Sequence, residues 1–197
     1  MLERDEIEGL GVALNEASLL GAEVDPGRRL AAITLSVLTL PAEGPPPPDA
    51  RLQILLDGVT RVAASLRLGS WNEETAPVQP FSLHELLAVV ESFGGRAIYG
   101  WEFFDRGEEQ FESWFGKYSL DERFSDEPPS HSISLFQEGD GDRHLDLCIW
   151  FQEIRFQLPD GQSIAAADVI AGGRRWWDAF YRNDPRTTYR GLIPLKS

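Results

Sequence analysis

His144-Leu145-Asp146-Leu147-Cys148-Ile149-Trp150-Phe151-Gln152-Glu153-Ile154-Arg155-Phe156-Gln157-Leu158 is the stretch on which the fold turns. Leu145, Leu147, Ile149 and Phe151 occupy every second position. That is the period of a strand with one face in a core. Ile154, Phe156 and Leu158 keep the period but in the opposite phase, so a bulge or turn is expected near Gln152-Glu153. Upstream, Ile133 and Leu135 begin another strand, and Gly139-Asp140-Gly141-Asp142 turns the chain between the two.

The same reading extends toward the N-terminus. Residues 1–15 form a short, weakly patterned leading helix. Leu20, Ala22 and Val24 share one face, Asp25-Pro26-Gly27 supplies turn chemistry, and Ile33, Leu35 and Val37 return, which is a β-hairpin. Pro45 to Pro48 are four consecutive prolines; they lack amide donors and mark a stiff surface loop. Leu52, Ile54 and Leu56 alternate, the pattern slips at Asp57-Gly58, and Val62, Ala64 and Leu66 resume it. Arg96 to Asp105 reads as a strand with Tyr99, Trp101 and Phe103 on one face and Ile98 and Phe104 on the other. Apolar residues on both faces predict a central position.

Two stretches carry the helical period. Ser82-Leu83-His84-Glu85 is a capping box, followed by Leu86, Leu87, Val90 and Phe93 and stopped by Gly94-Gly95. Ala166, Val169, Ile170, Gly173, Trp177 and Phe180 predict a helix from about Ser163 to Arg182, ended by Asn183-Asp184-Pro185. Gly172-Gly173 inside it costs about 1 kcal/mol relative to alanine and signals close packing or a break. A short acidic helix is expected over 107–116 and a loop at Pro128-Pro129. The predicted fold class is α+β, a largely antiparallel sheet of seven or eight strands with two main helices on one face, built as one domain over 1–197. Hairpin, strand and helix recur over 17–94 and 132–182, which suggests a duplicated unit.

Composition narrows the function. The chain has 197 residues, 42% hydrophobic and 25% charged, which suits a folded protein and not a disordered one. Its net charge is −14, from 32 acidic and 18 basic residues. Such a surface repels phosphate backbones and anionic lipid, so neither nucleic acid nor membrane is an expected partner. It attracts basic proteins. The N-terminus is acidic and no run approaches the length of a membrane span, so the expected location is cytoplasmic. Arginine in place of lysine, with abundant Ala, Gly and Pro, points to a GC-rich bacterial genome.

No cofactor or nucleotide fingerprint is present: no GxGxxG, no phosphate-binding GxxxxGK[ST], no GxSxG and no HExxH. His144, Asp146 and Cys148 alternate on one strand face and invite a nucleophile reading. Alternate residues stand about 6.6 Å apart, so His144 and Cys148 are separated by about 13 Å and cannot share a hydrogen bond. Asp140, Asp142, His144 and Asp146 fail the EF-hand pattern, since Leu145 and Phe151 stand where glycine and glutamate are required. No catalytic or metal-ligating residue is assigned. His84, in the first turn of its helix, and His131, in a loop, have no motif around them.

Aromatic residues give the positive signal. Of six tryptophans, Trp176 and Trp177 are adjacent on a helix and separate by about 100°, so one needs a second element, a ligand or a partner to cover it. From Glu102 to Glu127, acidic residues gather around Trp114, Phe115 and Tyr118. The candidate binding residues are Tyr99, Trp101, Glu102, Asp105, Glu109, Glu112, Trp114 and Trp176. Three function classes follow. The leading one is a non-enzymatic interaction protein, of inhibitor or immunity type, that takes a basic protein partner; a homo-oligomer would use the same residues. The second is a small-molecule-binding module with an aromatic pocket. The third is an enzyme with dispersed carboxylates, with Glu102 or Asp105 beside Trp101 as the first pair to test.

Overall fold

A computed structural model describes residues 2–106 and 116–187. In chain order the elements are α1 (Arg4–Leu14), β1 (Ser18–Asp25), β2 (Leu30–Ser36), β3 (Arg51–Asp57), β4 (Arg61–Leu68), a 3-10 turn at Leu83–Glu85 leading into α2 (Leu86–Glu91), β5 (Leu120–Arg123), β6 (His131–Gly139), β7 (Arg143–Phe151), β8 (Glu153–Gln157), β9 (Ser163–Ile164) and α3 (Ala166–Tyr181). The protein is α+β, but the expected single sheet of seven or eight strands is replaced by two. Among the described residues, nine strands form two antiparallel sheets, β1-β2-β3-β8-β9 and β5-β4-β7-β6.

One corner explains the division. β3 pairs with β8 as far as Asp57↔Glu153, and β4 pairs with β7 from Arg61↔Trp150 onward. Both partners therefore leave one sheet and enter the other at the same place. Gly58 takes the left-handed conformation, φ 66°, which a residue with a Cβ seldom adopts. The Gln152 amide donates to the Asp57 carbonyl at 3.0 Å and the Thr60 amide donates to the Trp150 carbonyl at 2.9 Å, so the bend keeps its hydrogen bonds. A Cβ on Gly58 would stand 2.7 Å from Gln152 Cγ. The slip at Gly58 and the phase change at Gln152 are two sides of one feature.

The inward faces meet in one core. Ile33, Leu35, Ile54 and Leu56 from the first sheet join Val62, Ala64, Leu66, Leu145, Leu147 and Ile149 from the second. The hairpin β1–β2 forms as its turn chemistry predicts, with the Asp25 carboxylate accepting from the Arg28 amide at 3.0 Å. A bulge between Leu19 and Gly21 changes which side chains face inward, so Leu19 and not Leu20 is buried. The capping box at Ser82 forms, with the Glu85 carboxylate accepting from the Ser82 amide at 2.8 Å, and α2 packs on β1 through Leu86 and Val90.

The C-terminal helix is shorter than expected, because Ser163 and Ile164 pair with β8 as β9. Its main partner is α1, not α2. Gly173 makes this contact: a Cβ there would lie 2.5 Å from Ala13 Cα. No described helix is long and apolar enough to cross a membrane.

Arg96 to Asp105 is not a regular strand. It touches the strands at three isolated bridges, Ser18↔Ala97, Ile98↔Gln137 and Phe104↔Ile133. Gly100, at φ 122°, interrupts the extended run. Both edges of Ala97-Ile98 are paired, so the expected central position holds there alone. Gly11 of α1 sits against this segment, and a Cβ on it would stand 2.1 Å from the Trp101 carbonyl oxygen. Alanine gains about 1 kcal/mol over glycine in an open helix, but overpacking against backbone typically costs about 1–3 kcal/mol. With the added Cβ 2.1 Å from a backbone oxygen the clash falls at the upper end of that range, and Gly11→Ala is expected to lower stability by up to about 2 kcal/mol net of helix propensity. A urea midpoint above that of the parent protein would contradict this packing.

Candidate functional site

The segment 96–105 is held from both sides. The Leu19 amide donates to the Arg96 carbonyl at 3.1 Å and the Ile98 amide donates to the Ala17 carbonyl at 2.8 Å, which fixes it to the edge of β1. On the other side the Ser134 amide donates to the Phe103 carbonyl at 2.7 Å and the Asp105 amide donates to the Ser132 carbonyl at 3.0 Å, along the edge of β6. The buried Gln137 side chain donates to the Arg96 carbonyl at 2.8 Å and to the Leu19 carbonyl at 3.4 Å, so it clasps the segment to both strands. Ile98, Phe103 and Phe104 enter the core. Between them the chain bows outward at Tyr99–Glu102.

That bow carries the exposed aromatic surface. Tyr99 is 47% and Trp101 54% exposed. The Trp101 ring lies 6.1 Å from that of Trp177, and the Tyr181 ring, 65% exposed, lies 6.0 Å from it. Trp177 is buried, with its indole N–H donating to the Val12 carbonyl of α1 at 3.0 Å. Two exposed rings thus pack on a buried one whose polar atom is satisfied. Trp176 is also buried, stacked on Phe180 at 5.2 Å and clustered with Leu38 and Leu40. The two adjacent indoles do not part as expected: their rings meet edge to face with centroids 5.0 Å apart in one cluster, and both are covered within the chain.

Of the predicted binding residues, Tyr99, Trp101 and Glu102 come together and line a pocket of about 250 Å³ with Arg106, Ser134 and Phe136. Trp176 is not part of this pocket: it is buried against Trp177 and Phe180 and does not present itself to solvent. Glu109, Glu112 and Trp114, with the helix expected over 107–116, fall on 107–115, outside the described residues. Asp105 is turned to internal work. Its φ is 51°, its Oδ1 accepts from the Ser132 amide at 2.8 Å, and its Oδ2 lies 2.7 Å from Nδ1 of His131. His131 Nε2 accepts the Leu2 amide at 2.9 Å, so the proton of the neutral ring sits on Nδ1 and is donated to Asp105. The pair spans 26 positions in sequence, and no local pattern at His131 announces it.

His144, Asp146 and Cys148 lie on the outward face of the four-stranded sheet, yet are largely shielded from solvent. Across the ladders the rows read Arg67–His144–Glu138, Ser65–Asp146–Phe136 and Ala63–Cys148–Ser134. Arg67 donates to Asp146 at 2.8 Å, with both side chains mostly buried. Burial raises the Asp146 pKa, and the Arg67 hydrogen bond opposes it without reversing it. Burial likewise holds His144 below its ordinary value, against the pull of the Gly69 carbonyl. His144 Nε2, Arg67 Nε and Ser65 Oγ are buried without a hydrogen-bond partner among the described residues. Each such atom typically costs about 1–3 kcal/mol.

The Cys148 thiol is not poised as a nucleophile: it is buried, accepts from the Ser134 hydroxyl at 3.5 Å, and burial pushes its pKa up to about 12. Among the described residues no three His, Cys, Asp or Glu side chains gather to hold a metal ion.

A larger groove of about 600 Å³ lies between the loop that follows β2, the β8–β9 turn and α3. Its walls are aliphatic and proline-rich, and no aromatic ring is among its described lining residues. The aromatic residues thus line only the small pocket at Tyr99 and Trp101, while the spacious one is of a different kind. Comparisons with protein-family models, curated proteins and solved structures returned no match.

Cys148 is the sole cysteine, so its chemistry can be read cleanly. A thiol reagent at pH 8 should leave the folded protein unmodified and should label one thiol per chain after unfolding. The thiol pKa rises from 9.0 to about 12 on folding. The stabilisation is therefore whole below pH 9 and declines as pH climbs from 9 toward 12, because the unfolded state deprotonates first. Cys148→Ala should flatten that alkaline decline in urea titrations. Fast labelling of the folded protein would contradict the buried assignment.

Proposed function

We propose that the protein is a non-enzymatic binding protein that holds a basic protein partner on the Tyr99–Trp101–Tyr181 surface. One observation carries the reading: Trp101 and Tyr181, each more than half exposed, both pack against the buried Trp177 on a chain of net charge −14. A large aromatic side chain buries about 150–250 Å². At ~25 cal/mol per Å², a half-exposed ring has about 2–3 kcal/mol still to gain by being covered. Both rings are also held from below, so little ordering entropy opposes their use as anchors.

Charge supplies the choice of partner. Glu102 and Asp178 are exposed on the same two segments as Trp101 and Trp177. Their attraction for a cationic surface speeds encounter and weakens with salt, whereas ring burial responds little to salt. An enzyme with dispersed carboxylates draws less support, because Asp105 is engaged by His131 and the Ser132 amide.

A photo-crosslinking residue in place of Tyr99 should capture one basic protein from lysate of the source cell. Titrated in purified form, that protein should bind Trp101→Ala about thirtyfold more weakly, the loss expected of ~2 kcal/mol of aromatic anchor. Glu102→Gln should instead slow association and reduce its salt dependence. Capture of an acidic protein or of a second copy of this chain, or equal binding by Trp101→Ala, would overturn the proposal.

A further inference from the structure

The groove beside α3 uses none of the residues of the aromatic surface. Among its walls, Val37, Leu40 and Pro45 belong to the loop after β2, Leu158 to the β8–β9 turn, Ile164 to β9 and Val169 to α3. The loop is fastened to the helix twice: the Leu40 amide donates to the Gly172 carbonyl at 3.1 Å, and Arg175 Nε donates to the Leu40 carbonyl at 2.8 Å. The prolines that the sequence marks as a stiff connector form part of a wall. The space is therefore formed in advance, as small-molecule sites usually are.

The charged side chains around it are not equivalent. Asp49 and Arg51 neutralise one another through two parallel hydrogen bonds, Nε to Oδ1 at 3.0 Å and Nη2 to Oδ2 at 2.7 Å, and both are exposed. Asp160 is exposed and accepts the Gln162 amide at 2.9 Å. Asp168 is exposed in the first turn of α3, where the helix dipole favours a carboxylate. Arg175 differs from all of these. It is half-buried, spends only Nε on a carbonyl, and has no carboxylate within ion-pair distance among the described residues. A guanidinium with its two terminal NH2 groups free, on the wall of an aliphatic groove, matches a ligand that joins an apolar body to a planar anion.

We propose that this groove binds an amphipathic carboxylate, with its aliphatic tail along Val37, Leu158 and Val169 and its head group on Arg175. The size is suitable: about 600 Å³ corresponds to roughly twenty atoms at the ~30 Å³ that a water occupies. The net negative charge of the protein does not forbid the anion. Screening acts over about 8 Å at physiological salt, and Asp168 is seven residues from Arg175, about 10 Å along the helix. The local guanidinium therefore governs.

Three probes of equal tail length test this: dodecanoate, dodecanol and dodecyltrimethylammonium, each below its micelle concentration, titrated calorimetrically and by amide chemical shift. Dodecanoate should bind tightest and should move the amides of Val169 and Gly172. Arg175→Gln should weaken dodecanoate about tenfold, the usual worth of one charge-assisted bond, and dodecanol much less, since the loop keeps the Leu40–Gly172 bond when the Arg175–Leu40 bond is lost; Arg175→Lys should recover part of the loss. Leu158→Trp, which fills the groove from an exposed turn, should abolish binding of all three without loss of the thermal transition. Equal affinity for the three probes, preference for the cation, binding by none, or an equal effect of Arg175→Gln on acid and alcohol would each overturn the proposal.

Discussion

The backbone of Arg96–Ile98 is hydrogen-bonded on both of its edges, to the end of α1 and β1 on one side and to β6 on the other. Much else depends on this. β1 and β6 are edge strands of different sheets. An open edge exposes unpaired amides and carbonyls, and the strip occupies part of both. The two sheets are joined at the Gly58–Gln152 corner by strands that bend together, and here by a segment that belongs to neither. One core between them, with Ile98 and Ile133 fully buried in it, is the consequence. The same strip ends at Phe103–Asp105, along β6, so Tyr99–Glu102 has two fixed ends and bows outward.

Close approach on the far side sets where the bow stands. Gly11 lets α1 come against the Trp101 carbonyl, and Gly173 lets α3 come against Ala13. Through these contacts Trp177 reaches the Val12 carbonyl and sits beneath Trp101. The exposed aromatic surface is thus a product of backbone packing between three segments far apart in sequence. The groove has a parallel origin: Gly172 lets α3 meet Thr39 and Leu40, and the stiff loop that follows closes its wall.

Local patterns were legible and long-range ones were not. Alternation at Leu145–Phe151 marks a strand whose inward residues are buried, and the capping box at Ser82 marks a helix start, because both depend on neighbours a few positions away. The breaks at Gly58 and Gln152 were each visible, but that they face one another follows only from strand register, which no single segment encodes. Arg96–Asp105 has the composition of a central strand. Gly100 and the paired edges at Ile98 make it a closing strip, and the difference lies in a backbone angle. Of the candidate site, Tyr99, Trp101 and Glu102 are gathered as their spacing suggests. Asp105 is drawn to His131 by a contact with no sequence signature, and Arg175 stands out only once the other charged groups around the groove are seen to be paired or exposed.

Exchange of the indole N–H protons with solvent deuterium, followed by NMR, tests most directly whether the strip holds Trp101 outside while Trp177 is covered. The Trp177 indole, bonded to the Val12 carbonyl, should exchange slowly, and those of Trp101 and Trp71 should exchange at once. A Trp101 indole as protected as that of Trp177, or a Trp177 indole as fast as that of Trp71, would contradict the arrangement from which the aromatic surface is built.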